Sequence, residues 1–203
     1  MEEDKIKIMK YALDKFFREG FYKVTMDQLA AELRMSKKTI YKYFPSKEFL
    51  VQETVEFMKG YISASIIKII DSNDNAVVKI VALVKVITDL WMNVKEKMLV
   101  ELERHYPKIW QGIDEFRVMM MNRNLSKLFE QGKKEGLIKD YPSEIVRTVF
   151  MGAVRAVVNP DFFVNNQLSL NNAVEMTFEI MLNGLLTEKG KEIFFESKSG
   201  IDQ

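Results

Sequence analysis

The chain contains no cysteine in its 203 residues, which excludes a disulfide framework and a thiolate metal site. A single histidine, His105, leaves no second imidazole to build a transition-metal centre. Four prolines, nine glycines and few Val-Thr-Ile alternations leave little room for a sheet. Long apolar runs are missing as well. A membrane span needs roughly 18 uninterrupted apolar residues, and the longest candidates, such as 61–70, carry Ser and Lys. The acidic opening Met1-Glu2-Glu3-Asp4-Lys5 lacks the apolar run of a secretory signal. These absences predict a soluble, cytoplasmic protein. There is no Gly-rich phosphate loop, no G-x-S-x-G elbow and no metal-ligand cluster, so no catalytic residue, metal or cofactor is assigned. Nor is there an excess of one charge. With 30 basic and 29 acidic side chains the formal net charge is +1, and a nucleic-acid partner must be argued from local charge.

What is present is apolar character at helical spacing. Hydrophobic residues make up 47% of the chain, enough for a sizeable core, and they recur three or four apart nearly everywhere. An all-α fold is expected. The spacing of Ile6, Met9, Leu13, Phe16 and Phe17 predicts a first helix over 5–19, closed by Gly20 as a left-handed cap. Three helix starts follow in close succession. Thr25 is an N-cap with Gln28 three residues on, Ser36 is a second and Ser46 a third. Val24 with Leu29, Met35 with Ile40, and Pro45 with Leu50 supply the matching hydrophobic staples. Longer helices are predicted over 47–70, 76–93, 107–132, 144–158 and 170–186, with short ones over 97–104 and 191–196. Pro107 suits a first turn, and Ser143 and Ser169 suit caps.

The segment from Thr25 to Phe44 reads TMDQLAAELRMSKKTIYKYF. A short helix burying Met26, Leu29, Ala30 and Leu33 leads through a tight turn at Arg34-Met35 into a helix of barely two turns. This is the layout of a helix-turn-helix, whose second helix enters the major groove. Ile40 and Phe44 point inward, which leaves Lys37, Lys38, Thr39, Tyr41, Lys42 and Tyr43 mainly outside. Between Leu33 and Lys47 stand Arg34, Lys37, Lys38, Lys42 and Lys47 and no acidic residue. Lysine neutralises phosphates, and Lys or Thr also hydrogen-bonds base edges. A lysine run alone is commonly a solvated face; its coincidence with a tight helical turn and exposed tyrosines favours DNA.

Residues 8–55 resemble the N-terminal domain of the TetR family of bacterial transcriptional regulators. The resemblance rests on Ala12, Phe16-Phe17, Gly20-Phe21, Thr25 and Leu29-Ala30, then on the run from Met35 to Glu48, MSKKTIYKYFPSKE. It covers about a quarter of the chain strongly and the remainder in layout only. It implies a DNA-binding domain over 1–48 and a helical ligand-binding and dimerisation domain over 49–203. It implies that Thr25 caps the second helix and touches phosphate, and that Lys37, Lys38, Thr39 and Lys42 face the major groove. Tyr41 and Tyr43 would pack on the sugar-phosphate backbone, and Lys47 would bind phosphate from the start of the next helix. Two positions depart from the family pattern. Arg34 and Lys38 stand where the family often has glycine, so the turn and the operator are this chain's own.

The resemblance further implies a homodimer through the helices at 144–158 and 170–186, where Gly152, Ala153, Ala156 and Gly184 allow close approach. Two reading heads about one DNA turn apart would match a palindromic operator. Trp91, Met98, Leu102, Tyr106, Trp110, Ile113, Phe116, Met120 and Phe150 are candidate lining residues for an apolar or aromatic effector. Met and aromatic residues at this spacing equally make plain core. The helix over 47–70 would link effector to DNA. The expected function is a ligand-responsive regulator, typically a repressor. The alternative is a helical small-molecule-binding or adaptor protein with a vestigial helix-turn-helix.

Overall fold

The computed structural model describes residues 2–91, 96–159, 161, 162, 166 and 168–199. These residues are helical almost throughout, with α1 (Glu2–Glu19), α2 (Met26–Glu32), α3 (Lys37–Tyr43), α4 (Lys47–Ile70) and α5 (Ala76–Trp91) in the first half. They continue with α6 (Glu96–His105), α7 (Pro107–Lys134), α8 (Ser143–Val157), α9 (Leu170–Leu185) and α10 (Glu188–Ser199). The expected all-α architecture is observed. The chain divides into two compact units, Met1–Tyr61 with Asn93–Asp114, and Ile62–Met92 with Glu115–Gln203.

The first unit closes around apolar side chains from five helices. Ile8, Met9, Ala12 and Phe16 of α1, Leu29 and Ala30 of α2, Ile40 of α3, Leu50 and Val51 of α4, and Leu99 and Leu102 of α6 are all buried. Ile6, expected on the buried face of α1, lies at the edge of this stripe and is exposed, because Ile8 and Ala12 occupy the centre of the helix's inward arc. Phe16 packs on Phe21 with ring centroids 4.8 Å apart, and Phe21 meets Tyr106 edge-on at 6.0 Å. Polar ties fix the helices' relative placement. Lys15 is buried and pairs with Glu19 at 3.0 Å and with Glu32 of α2 at 2.6 Å. A buried ammonium is tolerated only when such partners surround it.

In the second unit α5 packs on α9 and α10, and α8 packs on α9. Phe150 of α8 lies between Phe129 of α7 and Phe178 of α9, at centroid distances of 5.4 and 6.0 Å. The α7–α8 connection pairs with the start of α10. Lys139 N–H donates to the Leu185 carbonyl at 2.9 Å and Thr187 N–H to the Leu137 carbonyl at 3.1 Å. Gly190 lies against the Leu137 carbonyl oxygen so closely that any Cβ would collide with it.

Two helix starts differ from expectation. Ser143 is the first residue of α8 rather than its cap. Pro142 occupies the cap position, and the Ser143 hydroxyl donates to Glu130 instead. The last helix begins at Glu188, earlier than expected. Thr187 caps it by accepting the Gly190 N–H at 3.2 Å.

One face of the second unit stays apolar and uncovered. On α8 Ile145 (61% exposed), Val149 (55%), Gly152 and Ala156 follow one another at spacings of four, three and four. On the adjacent α9 Met176 (55%), Ile180 (72%) and Gly184 follow one another at spacings of four. A Cβ built on Gly152 or Gly184 would meet nothing within 4 Å.

Candidate nucleic-acid interface

The two short helices α2 and α3 are held by their caps. Thr25 is extended (φ −112°, ψ 155°), and its hydroxyl accepts the Gln28 N–H at 3.1 Å. The reciprocal half of a capping box is replaced, since the Gln28 amide donates to Glu32 at 3.2 Å. Ser36 accepts the Thr39 N–H at 3.0 Å, and the two hydroxyls lie 2.7 Å apart. Ser46 accepts the Phe49 N–H at 3.1 Å and starts α4. Between α2 and α3 the chain reverses through Arg34, whose φ of 54° puts it in the left-handed region. The Met35 N–H then closes on the Ala30 carbonyl at 2.9 Å. A non-glycine residue there costs about 1 kcal/mol, so the Arg34 departure from the family pattern carries real backbone strain.

Ile40 is the buried anchor of α3, and Phe44 closes its end in the core. Lys37, Lys38, Tyr41 and Lys42 are exposed, with Thr39 and Tyr43 half-buried between them. Several of these side chains are already engaged. Lys37 pairs with Asp27 of α2 at 2.6 Å, and that hydrogen bond raises its pKa above the ordinary lysine value. The Tyr43 hydroxyl donates to Asp4 of α1 at 3.4 Å, and the Lys42 ammonium sits 5.8 Å from the Tyr43 ring centre. Burial, aided by Asp4, raises the Tyr43 phenol above its usual range. Lys47 donates to the Tyr22 carbonyl at 3.2 Å. Burial lowers its pKa, and the Glu101 carboxylate opposes that shift. All eight residues expected to meet DNA (Thr25, Lys37, Lys38, Thr39, Tyr41, Lys42, Tyr43 and Lys47) lie in the first unit, on or beside α2, α3 and the start of α4.

The residues expected to line an effector site fall in both units. Met98, Leu102, Tyr106, Trp110 and Ile113 belong to the first unit, and Phe116, Met120 and Phe150 to the second. Met98 and Leu102 are buried, and Tyr106 packs on Phe21. Phe150 stands in the Phe129–Phe178 cluster. The Trp91 side chain lies outside the described residues.

Sequence reasoning missed the acids of this region. Asp27 and Asp4 engage side chains of α3, and Glu101 accepts the Tyr22 N–H at 3.0 Å from 79 residues away. Asp27 stands ten residues before Lys37, on a different helix, so no local spacing rule signals the pair.

Residues 8–54 match the model of the bacterial regulatory proteins of the tetR family. The N-terminal segment therefore carries the sequence pattern of the tetR-family regulatory proteins. It is 21% identical over 176 residues to the uncharacterized HTH-type transcriptional regulator YvaF of Bacillus subtilis, covering 86% of this chain and 92% of that one. Among solved structures it is similar to a transcriptional regulator from Saccharomonospora viridis in complex with choline, with a TM-score of 0.71 and 16% identity over 93% of this chain and all of the other. A TetR transcription regulator from Haloarcula marismortui gives the same TM-score at 15% identity, over 92% of this chain and 100% of that one. At these identities the structural likeness speaks for the fold. The family is one of DNA-binding regulators rather than enzymes. No helix among the described residues is long and apolar enough to cross a membrane.

Proposed function

We propose that this tetR-family protein is a ligand-responsive repressor that binds a palindromic operator as a homodimer. The observation that carries the DNA-reading part is the outer face of α3. Lys37, Lys38, Tyr41 and Lys42 are exposed on a helix that contains no acid, anchored by Ile40 beneath. Lys38, Thr39 and Lys42 would read base edges or adjacent phosphates, while Thr25, Tyr41, Tyr43 and Lys47 would set register on the backbone. The pairing of Lys37 with Asp27 adds a condition: Lys37 must exchange a carboxylate for DNA when it binds.

The uncovered apolar stripes of α8 and α9 support the dimer. A four-helix contact of two such pairs would bury Ile145, Val149, Met176 and Ile180, and the open space at Gly152 and Gly184 would admit the partner's backbone closely. In this reading 1–48 is the reading domain and 49–203 the ligand-binding and dimerisation domain. The effector is apolar or aromatic. It acts only if it binds the non-DNA state more tightly than the DNA-bound state, with α4 carrying the change to Lys47.

Selection of bound sequences from random duplex DNA tests the proposal, run beside a Lys38→Ala, Tyr43→Phe double variant. The expected result is a palindromic motif enriched by the wild type and weakened about tenfold or more in the variant. Absence of enrichment by folded protein at low salt would overturn the reading.

A further inference from the structure

Outside the helix-turn-helix, α6 sends one carboxylate into the first unit. Glu101 is only 8% exposed, although glutamate is among the residues least often buried. Its Oε2 accepts the Tyr22 N–H at 3.0 Å in the turn between α1 and α2. The carbonyl of that same Tyr22 accepts the Lys47 ammonium at 3.2 Å. An anion and a cation thus bracket one residue's backbone, Glu101 at its N–H and Lys47 at its C=O. Hydrogen bonds with an ionised partner are stronger than neutral ones, so α6, the turn and the start of α4 are tied in series. Gly20 makes room for the tie. Its φ is +86°, and a Cβ there would stand 2.7 Å from Glu101 Oε2. The carboxylate also favours the charged form of Lys47, against the burial that disfavours it.

We propose that Glu101 is a positioning residue for DNA binding: from α6 it sets the α1–α2 turn and, through the Tyr22 backbone, the place of Lys47 against the phosphate chain. The proposal rests on the reading of Lys47 as a phosphate contact. It makes a prediction of unusual sign. Removing a carboxylate near a phosphate-binding surface ordinarily strengthens binding to a polyanion. Removing Glu101 weakens it instead, because Lys47 loses its placement.

The test is a double-variant cycle with the full chain on a duplex selected by the wild type, measured across a range of salt. The variants are Glu101→Ala, Glu101→Gln, Lys47→Ala and Glu101→Ala with Lys47→Ala, each checked for a cooperative thermal transition. Glu101→Ala is expected to weaken binding about tenfold and to flatten the salt slope by about one unit, as loss of one phosphate contact does. In the Lys47→Ala background it has little further effect. Glu101→Gln keeps an acceptor for the Tyr22 amide and retains most of the affinity. That variant carries the test if Glu101→Ala does not fold: it must bind no tighter than the wild type. Tighter binding by either variant, or additive losses in the cycle, would overturn the proposal while leaving DNA binding intact. A Lys47→Ala variant that binds like the wild type would instead remove the phosphate reading of Lys47, and the proposal with it.

Discussion

Among the described residues two exposed helix faces are opposite in chemistry. The outer face of α3 offers lysines and a tyrosine on a helix only seven residues long. The outer faces of α8 and α9 offer branched aliphatic side chains, methionine and glycine along helices of 15 and 16 residues. A short polar helix buries too little to hold itself and depends on caps and one anchor, here Ser36 and Ile40. A long apolar stripe is costly to leave in water and calls for a partner of like character. In the proposed function the first surface meets a polyanion that exchanges counterions, and the second a copy of itself. On that proposal the difference separates reading from assembly, in groups of residues that can be altered independently.

The comparison breaks most visibly at Ile180, 72% exposed on α9. Ile180→Glu places an unpaired carboxylate in the proposed dimer contact of both copies. Sedimentation velocity is expected to show the dimer dissociation constant raised at least about a hundredfold, with helical content unchanged. A variant that stays dimeric at wild-type affinity would remove α9 from the assembly surface. The proposed reading surface responds to smaller changes. Asp27→Asn releases Lys37 from its 2.6 Å pair. Binding to nonspecific duplex should tighten by about threefold, consistent with the modest worth of an exposed ion pair, and the dimer constant should not move.

Arg34→Gly sharpens the comparison from the side of stability. With φ at 54°, the native arginine is strained, and glycine should raise stability by about 1 kcal/mol, or the melting temperature by about 2–4 °C. An unchanged melting temperature would mean that the Arg34 side chain offsets the strain through contacts of its own.

The smallest effect concerns pH. The hydrogen bond from Lys15, followed by that from Tyr11, holds the Glu32 carboxyl below its ordinary value of 4.5. A depressed carboxylate contributes stability that is complete above the unfolded value and is lost as pH falls through the folded one. Glu32→Gln should therefore be less stable than the wild type at neutral pH and show a shallower loss as the pH falls through and below the ordinary carboxylate range. Parallel acid limbs in urea titrations of the two proteins would contradict this account of the α1–α2 junction.

The helix-turn-helix was legible in the sequence because its signals are local. Thr25, Ser36 and Ser46 each bond an N–H three residues ahead, and Gly20 takes its left-handed conformation at the end of α1. The buried acid Glu101 was not legible, since its partner lies 79 residues away and nothing in the run around it marks it as inward-facing. Asp27 escaped for the same reason on a smaller scale. The apolar stripe of α8 and α9 stands between these cases. Its composition was visible, but which residues it leaves uncovered depends on the packing of Phe150 and Phe178 on the opposite side of the same helices.

The most direct test of the central claim is a titration of the full chain onto its selected duplex, with the mass of the complex read by sedimentation. The comparison duplex keeps one half-site and scrambles the other. Two chains per intact duplex, and a loss of at least about a hundredfold on scrambling one half, are expected of a dimer that reads two half-sites. A single chain per duplex, with equal affinity for both DNAs, would contradict it.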